Sequence, residues 1–146
     1  MTVEPSDAEE RRTVIVADDE VHIVDVVALL LEPFDVTVVK AYNGEQVLRA
    51  IREHVPRLVI TDIMMPKLNG IEVCRRIKAD PSTAMIPVVL LSSIPDDAVE
   101  RSGADAFIPK PFDIELIETC ARRYLGSASH RAAVGDPDGD KTAVIP

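Results

Sequence analysis

Several side chains able to take part in phosphoryl chemistry stand directly at the ends of short apolar runs. The runs VIVA, LVIT, VVLL and AFIP are followed by Asp18 and Asp19, by Asp62, by Ser92 and by Lys110. A carboxylate can attack a phosphoryl group and hold it covalently, and neighbouring carboxylates can bind Mg²⁺. An ammonium and a hydroxyl can stabilise charge on phosphoryl oxygens. Together these groups meet the chemical needs of a magnesium-assisted phosphoryl acceptor.

The elements that would position these side chains alternate along the chain between strand and helix. The predicted strands are 13–17, 36–39, 58–61, 88–91 and 106–108, mostly unbroken Val, Ile and Leu, as in strands covered on both faces. The predicted helices are 21–31, 44–54, 70–79, 96–101 and 113–125, with Asn43 and Asn69 at N-cap positions. This alternation predicts an α/β fold, a doubly wound sheet of five parallel strands. Ligand sites of such sheets lie at the carboxyl ends of the strands, which brings the five polar residues together.

Composition restricts the classes of protein to which the chain can belong. Its 146 residues are enough for one domain, and with 47% apolar but only 3% aromatic residues the core should be Val, Ile, Leu and Ala. A formal net charge of −9 disfavours direct contact with nucleic acid. No apolar run is long enough to span a membrane, and the acidic N-terminus is unlike a signal peptide. Cys74 and Cys120 are therefore expected to be reduced and buried, in a cytoplasmic protein.

Both ends of the chain differ in composition from its centre. Residues 1–11 are polar and acidic, and predict a flexible lead. Residues 126–146 are small and polar with scattered Gly and Pro, and predict a flexible tail that is too short for an output domain. The expected organisation is a single domain over residues 12–125 that acts alone.

In this order, the motifs resemble the receiver domain of two-component response regulators, over most of the chain. The resemblance implies a (βα)₅, flavodoxin-like fold and makes Asp62 the phosphoacceptor. It implies that Mg²⁺, or Mn²⁺ in its place, is bound by Asp19, by Asp62 and by the backbone carbonyl of Met64, with Asp18 acting through water. A different role for Asp19, as N-cap of the helix that follows, is also open.

The resemblance extends to the residues expected to respond to the phosphoryl group. Lys110 and Pro111 match the family's Lys-Pro pair, whose peptide bond is typically cis and directs the ammonium inward. Ser92 matches the switch hydroxyl that binds a phosphoryl oxygen. Phe107 matches the switch aromatic, although a strand residue of this type can also belong simply to the core. The stretch DIMMPKLNGIE resembles the family's turn after the acceptor, with Asn69 where Asp is more usual.

The implied function is that of a phosphoacceptor in a signalling relay rather than an enzyme with an external substrate. A histidine kinase or histidine phosphotransfer protein would donate, and the domain would catalyse its own phosphorylation and dephosphorylation and bind a downstream protein. Two alternatives share the sheet. A haloacid-dehalogenase-type phosphatase needs an acidic residue where the chain has Met64, and a flavodoxin-like electron carrier needs a phosphate-binding loop where the chain has acids.

Two helices are expected to depart from the average pattern. The first, 21–31, is apolar nearly all round, which suggests that part of it contacts another protein. The fourth, 96–101, is about one turn shorter than in most receivers, and its few apolar anchors predict fraying. With this helix shortened, the dimer that DNA-binding receivers form through this region should be lost.

Overall fold

A five-stranded parallel sheet forms the centre of the fold, as the sequence predicts. The computed structural model describes residues 12–93, 99 and 101–126. The strands are β1 (Thr13–Ala17), β2 (Thr37–Ala41), β3 (Leu58–Asp62), β4 (Val88–Ser92) and β5 (Ala106–Pro109). They lie in the order β2-β1-β3-β4-β5 and all four pairings are parallel. This is the doubly wound, flavodoxin-like arrangement, whose carboxyl ends share one edge.

Four helices connect and cover the strands in the described part of the chain. They are α1 (Val21–Leu31), α2 (Gly44–His54), α3 (Gly70–Ala79) and α4 (Ile114–Leu125), with a 3-10 turn at Glu32–Phe34. The Asn43 side chain accepts from the amide of Gln46 at 2.9 Å, and that of Asn69 from the amide of Glu72 at 2.9 Å. Both asparagines are therefore N-caps, as predicted, and they fix where α2 and α3 begin.

The core consists of two apolar layers, one on each face of the sheet. One layer joins α1 and α4 to the sheet, and the other joins α2 and α3 to it. Every residue of β1, β3 and β4 is buried, because both faces of these central strands are covered. Cys74 and Cys120 are free and buried, one in each layer, as expected.

A few predicted boundaries were wrong by one or two residues. Strand β2 begins at Thr37, which pairs with Thr13, so that it excludes Val36. It runs to Ala41, which pairs with Ala17 at the end of β1. Strands β3, β4 and β5 each extend one residue further, and α4 begins after Asp113, which caps it. The 3-10 turn after α1 was not predicted.

Three predicted segments fall largely outside the described residues. These are the lead over 1–11, the tail beyond Gly126, and the short fourth helix, of which only residues 99 and 101 are described. Among the helices of the described chain, none combines the length and the apolar character that crossing a bilayer requires.

Candidate functional site

Three carboxylates converge at the carboxyl ends of β1 and β3. Strands β1 and β3 are neighbours with Ala17 paired to Thr61, so the residues that follow, Asp18 and Asp62, lie side by side. Asp18 is 0% and Asp62 4% exposed, whereas Asp19 is exposed. Each of the three acids offers an oxygen within 4.8 Å of the others. The register of the sheet thus turns two separate sequence motifs into one acidic pocket.

The ammonium of Lys110 reaches into this pocket from the end of β5. Its Nζ donates to Oδ2 of Asp18 at 3.0 Å and to Oδ1 of Asp62 at 3.3 Å. The Lys110 amide donates to the carbonyl of Ser92 at 2.7 Å, and the Lys110–Pro111 peptide is cis, as expected. One cation therefore bridges both buried carboxylates.

The charges of the pocket leave Asp62 harder to ionise than an ordinary aspartate. The pKa of Asp62 is raised mainly by burial and secondly by the negative charge of Asp18. The positive charge of Lys110 lowers this pKa, but offsets only part of the increase. Burial lowers the pKa of Lys110, but the hydrogen bond to Asp18 and the charges of both carboxylates outweigh it, so that its pKa is raised overall. Negative charge is in excess here, and a further cation would stabilise the site.

Asp18 rather than Asp19 fixes the start of α1. Oδ1 of Asp18 accepts from the amide of Glu20 at 3.0 Å, while its Oδ2 accepts from Lys110. The N-cap position of α1 is Glu20, without a side-chain cap bond. The alternative role of Asp19 as N-cap is therefore wrong, and its exposed carboxylate remains available to the pocket.

The turn after Asp62 is held tightly by Gly70. The Gly70 amide donates to the carbonyl of Ile63 at 2.9 Å, and a Cβ on Gly70 would lie 2.2 Å from the carbonyl oxygen of Asp62. Only glycine allows this approach of α3 to the end of β3. In this turn Met64 is 69% exposed, whereas Met65 is buried.

The two residues expected to act as switch lie on the strands beyond β3. Ser92 is 5% exposed and follows Leu91, the pairing partner of Asp62. Phe107 pairs with Leu90 and is half-buried against the apolar layer of α2 and α3. This packing accounts for Phe107 as a core residue, so its role as a switch stays a prediction.

Thr61 also contacts the site, which its place in the sequence did not predict. Its hydroxyl donates to the carbonyl of Asp62 at 3.0 Å, and the signal for it was a polar residue inside an otherwise apolar strand. Of the three histidines, His22 is exposed and His54 is partly buried, and His130 lies outside the described residues.

The chemistry of the pocket fits a hard divalent cation. Carboxylate oxygens are the ligands that Mg²⁺ and Mn²⁺ prefer, and three of them meet here around an excess of negative charge. The exposed Asp19 leaves one side of the cluster open to solvent, as a partly hydrated ion requires.

Comparison with known proteins identifies the family. Residues 14–122 match the response regulator receiver domain, and the chain belongs to this family of two-component signalling proteins. The DNA-binding response regulator MtrA of Mycolicibacterium smegmatis is 34% identical over 143 residues, which cover 91% of this chain and 60% of that protein. Response regulator GtcR of Aneurinibacillus migulanus is 38% identical over 70% of this chain and 43% of its own length. The chain thus spans about half the length of such relatives.

Solved receiver domains share the fold. The signal receiver domain of a histidine kinase from Syntrophus aciditrophicus has a TM-score of 0.73 and 25% identity, covering 86% of this chain and 98% of its own. The beryllofluoride-activated DrrB receiver domain has a TM-score of 0.68 and 30% identity, covering 80% of this chain and 99% of its own. The predicted family and fold are confirmed, and the family consists of signalling domains rather than enzymes that turn over an external substrate.

Proposed function

We propose that this receiver domain accepts a phosphoryl group on Asp62 in a Mg²⁺-dependent phosphorelay. The observation that carries the proposal is the ammonium of Lys110, which bridges Asp18 and Asp62 beside the exposed carboxylate of Asp19. A nucleophile, an acidic cluster and a cation are thereby gathered within one pocket.

The donor is a phosphohistidine of a sensor kinase or of a phosphotransfer protein. A carboxylate oxygen of Asp62 attacks phosphorus in line, and the imidazole leaves with the electron pair of the broken N–P bond. Lys110 stabilises charge on the phosphoryl oxygens. Asp19, Asp62 and the carbonyl of Met64 would hold Mg²⁺ or Mn²⁺, with Asp18 acting through water. When bound, the ion supplies further positive charge to the same oxygens.

The response to phosphorylation is assigned to the edge formed by β4 and β5. Ser92 donates a hydrogen bond to a phosphoryl oxygen, and Phe107 turns inward as that hydroxyl moves. The altered surface then binds a downstream protein. The position of Ser92, one residue beyond the partner of Asp62, supports this assignment.

Intact-mass measurement after incubation with acetyl phosphate and Mg²⁺ tests the proposal. The wild-type protein should gain one phosphoryl group and Asp62→Asn none. Asp25→Asn, which removes an exposed carboxylate paired with Lys40, is the matched control and should behave as wild type. Incorporation in Asp62→Asn at the wild-type rate would sink the assignment, and multiple turnover of acetyl phosphate without a trapped product would favour a phosphatase.

A further inference from the structure

Thr61 places a hydroxyl where the packing favours an apolar side chain. It is 0% exposed, and its pairing partners, Ala17 on β1 and Leu90 on β4, are fully buried apolar residues. Valine has nearly the same shape and would fill this position without a polar atom. Burying a hydroxyl costs free energy unless it is hydrogen-bonded, so its partners indicate what it contributes.

The partners of this hydroxyl are the phosphoacceptor residue and the turn that follows it. Oγ1 donates to the carbonyl of Asp62 at 3.0 Å and lies 3.7 Å from Sδ of Met65. These contacts span Ile63 and Met64 and tie both ends of the turn to one buried atom. The start of α3 also approaches the Asp62 carbonyl closely, since a Cβ on Gly70 would lie 2.2 Å from its oxygen.

We propose that Thr61 is a positioning residue for the divalent cation and the phosphoryl group. Its hydroxyl fixes the backbone of Asp62 and the packing of Met65, and thereby holds the carboxylate of Asp62 and the carbonyl of Met64 in register with each other. Thr61 acts through these residues and not on the ion or the phosphoryl group. The inference rests on the proposed function, because it concerns the same site.

Two matched pairs of variants separate the effect of the Thr61 hydroxyl from the effect of the packing of its methyl group. Thr61→Val keeps the shape and loses the hydroxyl, whereas Thr61→Ser keeps the hydroxyl and loses the methyl group. Thr61→Ala and Thr61→Ser both lack the methyl group and differ only in the hydroxyl. The second pair gives the comparison should Thr61→Val fail to fold.

The first measurement is the affinity for Mn²⁺, which is determined from the electron paramagnetic resonance signal of the free ion. Loss of the hydroxyl should weaken binding about fivefold, the equivalent of about 1 kcal/mol for one hydrogen bond. Thr61→Ser should stay within about twofold of wild type, and phosphorylation by acetyl phosphate should follow the same order. Urea unfolding should rank the variants differently, because Thr61→Ser loses apolar burial.

The outcomes distinguish this inference from the proposed function. If the Asp62→Asn variant binds Mn²⁺ as tightly as the wild-type protein does, the metal site itself is wrongly assigned. If that substitution abolishes binding but Thr61→Val and Thr61→Ala bind as tightly as wild type and Thr61→Ser, the hydroxyl has no positioning role. Equal weakening in the serine and valine variants would also overturn the inference, since it would trace the effect to packing.

Discussion

Asp62 lies in surroundings that make ionisation of its carboxyl unfavourable for the folded protein. It is almost completely buried, lies beside the buried Asp18, and shares with it the single ammonium of Lys110. A solvated carboxylate at the same position would be easier to ionise, and would also attract cations less strongly. The proposed function therefore depends on a local excess of negative charge that destabilises the folded protein.

The first prediction concerns how the ionisation of Asp62 makes the stability of the folded protein depend on pH. Because burial and Asp18 raise the pKa of Asp62 above its ordinary value of 3.8, the folded state binds this proton more tightly than the unfolded state. The resulting stabilisation is complete below about pH 3.8 and is lost as the pH rises through the folded pKa. Asp62→Asn should therefore raise the urea midpoint at pH 7 without added divalent ion, and the gain should shrink towards pH 3.8.

The exposed Asp25→Asn provides the control, with a change in stability within about 0.5 kcal/mol at either pH. A gain for Asp62→Asn that is as large in acid as at neutral pH would contradict the electrostatic explanation and point to a change in packing.

The residues of the site differ in how far the sequence could reveal them. Asp62, Ser92 and Lys110 end apolar strands, so the rule for parallel sheets was enough to bring them together. Asp18 and Asp19 differ in role because only the side chain of Asp18 accepts from the amide of Glu20. Two adjacent acids in a sequence do not show which of them will do so. Thr61 was missed because its hydroxyl acts on a backbone atom.

At the scale of elements, α1 has more apolar surface than its packing uses. Val24, Val27 and Leu31 are buried, whereas Val21, Val26 and Leu29 are 56%, 41% and 61% exposed. A helix on the face of a sheet needs only one apolar stripe, so the second one predicts contact with another protein. Since α1 follows directly after Asp18 and Asp19, that protein is proposed to be the phosphodonor.

The second prediction tests this surface with two kinds of donor. Val26→Glu and Leu29→Glu should change stability by no more than about 0.5 kcal/mol, because both side chains face solvent. With an autophosphorylated sensor kinase that phosphorylates the wild-type protein, transfer should slow at least about tenfold, the effect of losing about 1.4 kcal/mol of contact. Phosphorylation by acetyl phosphate, which needs no docking surface, should keep its rate. Equal rates from the kinase would mean that the stripe does not contact the donor.

The elements themselves were predictable where local patterns were strong. Unbroken Val, Ile and Leu identified β1, β3 and β4, and Asn43 and Asn69 marked two helix starts. The errors came where strand pairing sets the boundary of an element. Strand β2 is an edge strand whose limits follow its register with β1, so that Ala41 is included and Val36 is not. The 3-10 turn at Glu32–Phe34 carries Pro33 and the buried Phe34, and depends on the packing of that ring rather than on periodicity.

At the scale of the whole molecule, binding of a metal ion in the acidic pocket should be coupled to folding. An ion that binds only the folded state stabilises it by about 1.4 kcal/mol at ten times its dissociation constant. For a domain of this size, the third prediction is a rise in Tm of about 6 °C on addition of Mg²⁺, reversed by a chelator. Asp62→Asn should show a much smaller rise. A shift of equal size in both proteins would mean that Mg²⁺ acts elsewhere on the acidic surface.

The fourth prediction concerns the assembly of the activated molecule. Only nine residues, 94–102, separate Ser93 from Gly103, which leaves room for scarcely two helical turns between β4 and β5. DNA-binding receivers commonly dimerise through the helix in this place, together with β5 and the last helix. Reduced to so few residues, that face should not support a stable dimer. Multi-angle light scattering should therefore give the mass of one chain with and without beryllofluoride and Mg²⁺. A dimer that forms only with beryllofluoride, and that is lost when the exposed Arg101 is changed to Glu, would contradict this prediction.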